Sequence, residues 1–444
     1  MNGISKLLAA TAAVTLGLGA PGMGARAQTP TEVHWWHAMA GALGERVDEL
    51  AATFNESQDD YRVVASYKGS YPETLTAAVA AFRAGNAPAI VQVFEVGTAT
   101  FMAATGAVRP VQQVLDEAGV PFDPKDYVEA VTGYYSTSDG RMLSMPFNSS
   151  TPVLYYNKEH FEQAGLDPDQ PPRTWEEMDE ATRTLRDAGV PCGFTTTWMS
   201  WVQLENLAAR HGRTFATRNN GFDGLDTELE ITEPFFVKHI GQLGEWQKTK
   251  QFDYGGRTNK AGAKFTSGEC AMMTESSAGY ASVKRDTDFD WGIAPLPYWA
   301  SETSEPSNTI IGGASLWVMN GRDEDVYEGA ARFFEFLSLP EIQAKWHQET
   351  GYLPITPAAM RLTAEQGFYE ENPGTEVAIE QMRPDEPATI KGIRLGNFIQ
   401  IRDIIDEELE RVWAGQASAE QALGTAAERS NAELRKFEKA NANR

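Results

Sequence analysis

Groups able to hold an oxyanion recur along this sequence. The run Asn148-Ser149-Ser150-Thr151-Pro152 sets three hydroxyls and an amide in one polar turn between two apolar stretches. Ser276-Ser277 and Gly312-Gly313 add further hydroxyls and backbone amides that a ligand can approach closely. Arg394 and Arg402 offer planar guanidinium forks, the donor geometry that pairs with phosphate. Trp198 and Trp201, in the stretch TWMSWVQLEN close to an expected turn, present two aromatic faces. Such faces stack on the carbon skeleton of a polyol or enclose a quaternary ammonium. Each feature also has a plain structural reading: serine and glycine clusters make turns, arginines form surface ion pairs, and tryptophans fill cores.

Other chemistries find less support. His34 and His37 bracket two tryptophans, but the segment reads as a strand, where positions three apart point to opposite faces and cannot share a metal. HExxH, cysteine–histidine and calcium-loop patterns are missing, as are G-x-S-x-G and the P-loop. An unmarked acid pair could still catalyse, so a hydrolase is the competing class.

The elements that would position these groups alternate. Val33–His37 reads as a strand, residues 41–56 as an amphipathic helix through Leu43, Val47, Leu50 and Phe54, and Tyr61–Tyr67 as a second strand. A helix through Leu75, Val79 and Phe82 and a strand at Ala89–Val96 follow. This order predicts an α/β fold with a mostly parallel sheet covered on both faces, which binds ligands beyond the carboxyl ends of its strands. Tyr71 and Glu95 fall at that edge. A second α/β stretch begins after Ser149, with a strand at Leu154–Tyr156 and a capping box, Thr174-Trp-Glu-Glu177, opening a helix. Short strands return at Cys270–Thr274, Trp291–Ala294 and Ser315–Met319, and the residues from Ile401 read as helices broken near Gly415.

At the amino end a single charge, Lys6, precedes the apolar run Leu7–Gly19, and the segment closes on Ala25-Arg26-Ala27. That is the pattern of a cleaved secretory leader, with the mature chain expected to begin near Gln28. Removing residues 1–27 takes away two positive charges and no negative ones, so the formal net charge of -24 becomes -26. So acidic a chain, without a Lys/Arg run of five, repels nucleic acid and anionic lipid. The 417 residues left of 444 exceed what one hydrophobic core serves, so two lobes are expected, with the chain crossing between them more than once. Cys192 and Cys270 could pair in an oxidising compartment, or each could be a small buried hydrophobe.

Longer words complete the reading: FRAGNAPAIVQVFEVGTAT (82–100), PFNSSTPVLYYNKEHFEQAGLDPDQPP (146–172), NNGFDGLD (219–226), IIGGASLWVM (310–319), WHQETGYLPIT (346–356), EQGFYEENPG (365–374) and RLGNFIQIRDIIDEELERVW (394–413). Through these, the chain resembles the periplasmic sn-glycerol-3-phosphate-binding proteins of bacterial ABC importers over essentially its whole mature length. The resemblance implies a two-lobed Venus-flytrap fold of the maltose-binding type, with residues 28–150 and 293–318 in the first lobe and 151–292 and 319–444 in the second. It implies a monomer without cofactor or metal, which delivers glycerol-3-phosphate and diesters such as glycerophosphocholine to an inner-membrane permease and its ATPase. A sugar-binding member of the same fold is the nearest alternative. The implied ligand contacts are Tyr71, Glu95, Ser150, Ser276, Gly313, Tyr352 and Arg402, with Trp198 and Trp201 lining the cleft. Arg402, the serines and the Gly313 amide would hold phosphate, and Glu95 would accept from glycerol hydroxyls. Two departures stand out: Thr197, Met199 and Ser200 flank the tryptophans in place of the usual glycine and glutamine. Glu275 stands beside Ser276 where a small residue is expected, and is expected to point outward.

Overall fold

The computed structural model describes residues 29–442, apart from 105, 138 and 384–388; the expected leader at 1–27 lies outside the described residues. The strands are β1 (Thr31–His37), β2 (Tyr61–Tyr67), β3 (Ile90–Phe94), β4 (Val108–Arg109), β5 (Met145–Ser150), β6 (Pro152–Asn157), β7 (Cys192–Thr196), β8 (Cys270–Ser276), β9 (Trp291–Pro295) and β10 (Gly312–Met319). They form two sheets, one in the order β2-β1-β3-β10-β4 with β5 also on β10, the other in the order β7-β8-β6-β9. Helices flank both, giving the expected two-lobed α/β architecture.

The local elements follow the sequence pattern. In β1 the side chains of Val33, Trp35 and His37 alternate inward, which separates His37 from exposed His34. Among the described residues, no group of three histidine, cysteine, aspartate or glutamate side chains could hold a metal. The Thr174 hydroxyl accepts from the Glu177 amide and the Glu177 carboxylate accepts from the Thr174 amide, closing the capping box of helix 175–187. That helix buries Trp175, Met178, Ala181 and Leu185 at spacings of three and four, each large apolar side chain contributing about 1.5–3 kcal/mol. The carboxyl-terminal helices, Phe398–Trp413 and Ala419–Asn441, break at Gly415. Among the described residues no helix is long and apolar enough to cross a membrane.

Strand direction departs from expectation. β1, β2 and β3 are mutually parallel because helices carry the chain back between them. β10 instead enters the first sheet from the other lobe and runs antiparallel to β3, β4 and β5. In the second sheet only β7 and β8 are parallel, since β6 is antiparallel to both β8 and β9. The sheets are therefore mixed rather than mostly parallel.

The lobe boundaries shift for the same reason. β9, expected at the start of a first-lobe segment, is an edge of the second sheet. Helix 324–337, expected in the second lobe, packs on β1 and β2, and helix 340–350 packs on helix 41–57. The chain crosses between lobes at Thr151, between β9 and β10, and again after helix 357–365, ahead of helix 377–380 on β6 and β9.

Cys192 and Cys270 form a disulfide, their Cα atoms 4.3 Å apart where β7 and β8 begin side by side. The bond closes a loop with a sequence separation of 78. On chain-entropy grounds its loss should lower stability by about 4 kcal/mol. The Cys192→Ala/Cys270→Ala double variant is expected to melt well below wild type, and wild type to show no free thiol in denaturant until reduced. A reactive thiol before reduction would contradict the pairing.

Candidate functional site

The cleft is built on the shortest of the crossings. β5 ends at Ser150 and β6 begins at Pro152, so Thr151 alone joins the sheets. Register pairs Ser150 with Gly312 in the first sheet and Pro152 with Ser276 in the second. Two steps of chain thus bring the Ser150 hydroxyl, the Gly312–Gly313 backbone and the Ser276 hydroxyl to one place. The polar turn expected at 148–152 is strand on both sides of Thr151, because Asn148 and Ser149 take part in the ladder to β10. Gly313 has φ of +98° and a Cβ there would sit 1.8 Å from the Asn148 carbonyl oxygen, so only glycine fits. A Cβ on Gly312 would meet the Trp201 ring at 2.6 Å.

A cavity of about 300 Å³ opens at this junction, and Tyr71, Glu95, Ser150, Trp198, Trp201, Ser276, Gly313, Tyr352 and Arg402 all line it. Hydrogen-bond donors face it from several elements. Gln92 Nε2 donates to Asn148 Oδ1 at 2.8 Å and Asn148 Nδ2 donates to the Tyr71 hydroxyl at 2.9 Å. The Tyr71 hydroxyl also hydrogen-bonds that of Tyr352, which leaves one phenol proton of the pair to give. Its ring stacks on Phe94 at 5.1 Å, and that of Tyr352 stacks on Trp346 at 5.8 Å. Burial holds the Tyr71 hydroxyl well above its ordinary pKa and pushes Tyr352 up to about 12, so both stay protonated at neutral pH. Ser276 Oγ accepts from the Ala278 amide at 3.1 Å, which likewise leaves its proton free.

One guanidinium bridges the two walls. Arg402, on helix 398–413, places Nη1 2.7 Å from Glu95 Oε1, at the end of β3 in the other lobe. Its Nε and Nη2 grip Glu205 at 2.8 and 2.7 Å in a bidentate pair. The arginine side chain is 12% exposed and that of Glu205 1%, so these charges are sheltered from water. Burial alone would lower the Arg402 pKa, but the attraction of Glu205 and Glu95 outweighs it and raises the value. Glu95 is raised too, by burial first, against the pull of Arg402 and with the like charge of Glu205 adding to it. Two carboxylates on one guanidinium leave the cluster formally at -1.

Glu205 was not among the sequence candidates. It lies one turn from Trp201 on the π-helical segment Trp201–Asn206, a rare element that recurs at functional sites. The available signal was an acid inside the otherwise uncharged run WVQLEN. Trp198 sits at φ of +43°, a left-handed backbone that costs a non-glycine residue about 1–3 kcal/mol and persists only where its surroundings impose it. The Trp198 amide donates to the Thr258 carbonyl at 2.8 Å, which fixes the turn.

Two expectations are corrected. Glu275 does not point outward: it lines the cavity, is buried, and accepts from the Ser276 amide at 2.7 Å. The reason is strand alternation together with Gly279, whose absent Cβ would meet Glu275 Cγ at 2.7 Å. Burial pushes the Glu275 pKa up to about 7 against hydrogen bonds from Thr197, Ser276 and Trp198. Arg394 stands away from the cavity; it donates to the Ser136 and Gly133 carbonyls at the end of helix 129–135 and covers Phe222. Ser277 is buried just beyond the cavity, its amide donating to the Thr151 carbonyl at 2.8 Å.

Two lobes joined by repeated crossings, with polar and aromatic groups from both converging on one cavity, define a binding protein that encloses a small ligand. The chain belongs to the bacterial extracellular solute-binding proteins, whose family model matches residues 49–376. It is 53% identical over 430 residues to the sn-glycerol-3-phosphate-binding periplasmic protein UgpB of Shigella flexneri, a match covering 96% of this chain and 98% of that one. Among solved structures, UgpB from Mycobacterium tuberculosis in complex with glycerophosphocholine superposes with a TM-score of 0.76 at 23% identity, over 92% of this chain and 99% of that chain. The cyclic alpha-maltosyl-1,6-maltose binding protein of Arthrobacter globiformis gives 0.71 at 25% identity, over 92% and 100%.

Two variants test the electrostatics without ligand. Arg402→Ala strands two buried carboxylates and should lower the unfolding free energy by about 3–5 kcal/mol; denaturant melts within 1 kcal/mol of wild type would remove the cluster from the stability of the fold. The folded protein holds the Glu275 proton more tightly than the unfolded chain does. Stability contributed at this position therefore falls as pH rises from about 4.5 to about 7 and is level above, for a total of about 3 kcal/mol. Glu275→Gln should accordingly raise the melting temperature at pH 8 and leave it near wild type at pH 4.5. Equal shifts at both pH values would contradict the burial of this carboxyl.

Proposed function

We propose that this chain is the periplasmic solute-binding component of a bacterial ABC importer and that it takes up sn-glycerol-3-phosphate or its diesters, without catalytic turnover. The observation that carries the reading is the meeting of donors, aromatic faces and an inter-lobe guanidinium in one cavity. The name of a relative 53% identical along nearly the whole chain supports the ligand class.

The proposed roles follow from the chemistry. A phenol of the Tyr71–Tyr352 pair, the hydroxyls of Ser150 and Ser276 and the amide of Gly313 donate to phosphate oxygens. Arg402 Nη1 is occupied by Glu95, so a phosphate oxygen reaches the guanidinium by taking that carboxylate's place. Glu95, released, accepts from glycerol hydroxyls. The tryptophan faces pack on the carbon skeleton. Contacts drawn from both lobes are complete only when the lobes close, which is how a ligand shifts that equilibrium. The closed protein, a monomer, then delivers its ligand to an inner-membrane permease coupled to an ATPase.

Calorimetry with sn-glycerol-3-phosphate, glycerophosphodiesters and maltose tests the reading. Saturable binding of a glycerol phosphate, no heat with maltose and no phosphate or alcohol released on prolonged incubation are expected. Binding of maltose alone would move the protein to the sugar-binding members of the fold, and product release would make it a hydrolase.

A further inference from the structure

The cavity holds more negative charge than a phosphate-binding site calls for. Its charged lining is Glu95, Glu275, Asp286 and Arg402; Asp286 is paired with Arg285, and Arg402 is already engaged by Glu95 and Glu205. No positive group remains to balance Glu275, which makes no ion pair among the described residues. A phosphate monoester would bring two further negative charges to a cavity that is net negative before it arrives. A diester carrying an ammonium brings one negative and one positive charge, and so adds none.

We propose that Glu275 is the anionic wall of a cation subsite, which seats the ammonium head group of a zwitterionic glycerophosphodiester and makes this protein prefer such esters to the monoester. The inference rests on the glycerol phosphate reading and specifies its ligand. Three observations support it. Glu275 lies on the cavity wall beside Trp198, from whose side chain it accepts a hydrogen bond, so a carboxylate and an aromatic face stand together. That pairing recognises substituted ammonium groups. The lining from the same segments includes small apolar residues, Ala278, Gly279, Ala263 and Val283, among the polar Asn259, Thr266 and Ser282, which leaves room for methyl groups. Finally, the Trp201 Nε1–H, buried on the same wall, has no hydrogen-bond partner within the protein and suits an ester oxygen of the ligand. The carboxyl is costly to ionise when nothing faces it, and an ammonium in contact reverses that cost.

The test compares head groups that share one phosphodiester charge. Glycerophosphocholine and glycerophosphoethanolamine carry an ammonium; glycerophosphoglycerol carries an uncharged polyol. Calorimetry at pH 8 on the wild-type protein is expected to show at least tenfold tighter binding of the ammonium esters than of glycerophosphoglycerol or sn-glycerol-3-phosphate. Glu275→Gln, nearly the same shape, should bring the four ligands to within threefold of one another, with the monoester gaining affinity. Choline favoured over ethanolamine would mark the tryptophan face as the stronger part of the subsite, and the reverse order would mark the carboxylate. Equal wild-type affinity for charged and uncharged head groups, or a preference that survives in Glu275→Gln, would overturn the subsite. Failure of all four ligands to bind would instead overturn the glycerol phosphate reading itself.

Discussion

A buried guanidinium shared by carboxylates from both lobes is the constraint around which this molecule is organised. Arg402 satisfies Glu205 on its own side of the cleft with two hydrogen bonds and reaches Glu95 on the other with a third. Sheltered from solvent, none of the three can be left alone, since an unpaired buried charge costs several kcal/mol. The pair across the cleft therefore does more than hold a shape. On the ligand reading proposed above, it makes the approach of the lobes depend on what Arg402 is bonded to, and an anion entering the cleft competes with an internal carboxylate for the same nitrogen. A binding protein built this way exchanges one ion pair for another rather than creating a new one, which moderates affinity while keeping the geometry specific.

The backbone beneath that cluster works through proximity. Strands from different sheets are brought to one point by the single residue between Ser150 and Pro152, and the register does the rest. Glycine is required where β10 meets β5, because the Asn148 carbonyl occupies the place of a side chain. The donor groups owe their positions to hydrogen bonds that run back into the first sheet, from Tyr71 through Asn148 to Gln92 and on to the Ala38 amide. A site on strand ends and helix starts inherits the rigidity of the sheets.

Much of this could be read in the chain, and the parts that could not share a cause. Alternation in β1, helical spacing at 41–57 and the capping box at 174–177 are local signals and fall where the sequence puts them. Tyr71 and Glu95 were placed at the edge of the sheet by strand order alone, and both line the cavity. Arg394 and Arg402 could not be told apart, because one arginine covering helix-end carbonyls and another pairing carboxylates look alike in sequence. Glu205 and the inward side of Glu275 were hidden for a similar reason: the carboxylate's partner lies 197 residues away in the first case, and in the second no ion-pair partner exists among the described residues. Strand direction and lobe boundaries failed where β10 and helix 324–337 return to the first sheet from the far side of the second. Cys192 and Cys270 needed the parallel start of β7 and β8 to become a pair.

The position of β10 also governs when the molecule can come into being. It lies between β3 and β4 and pairs with β5 as well, yet it is made only after the whole second sheet has been synthesised. Helices 324–337 and 340–350, which cover the first sheet, come later still. A nascent chain cut at residue 150 has no central strand and an open edge along β3, so this amino-terminal third cannot settle into a finished lobe as it emerges. Contacts so distant in sequence form slowly, because the loop must be closed before they stabilise anything. For a protein that works in the periplasm, slowness of this kind is useful: the first lobe stays unfinished, and hence easier to thread through a membrane, until the last third of the chain has been made.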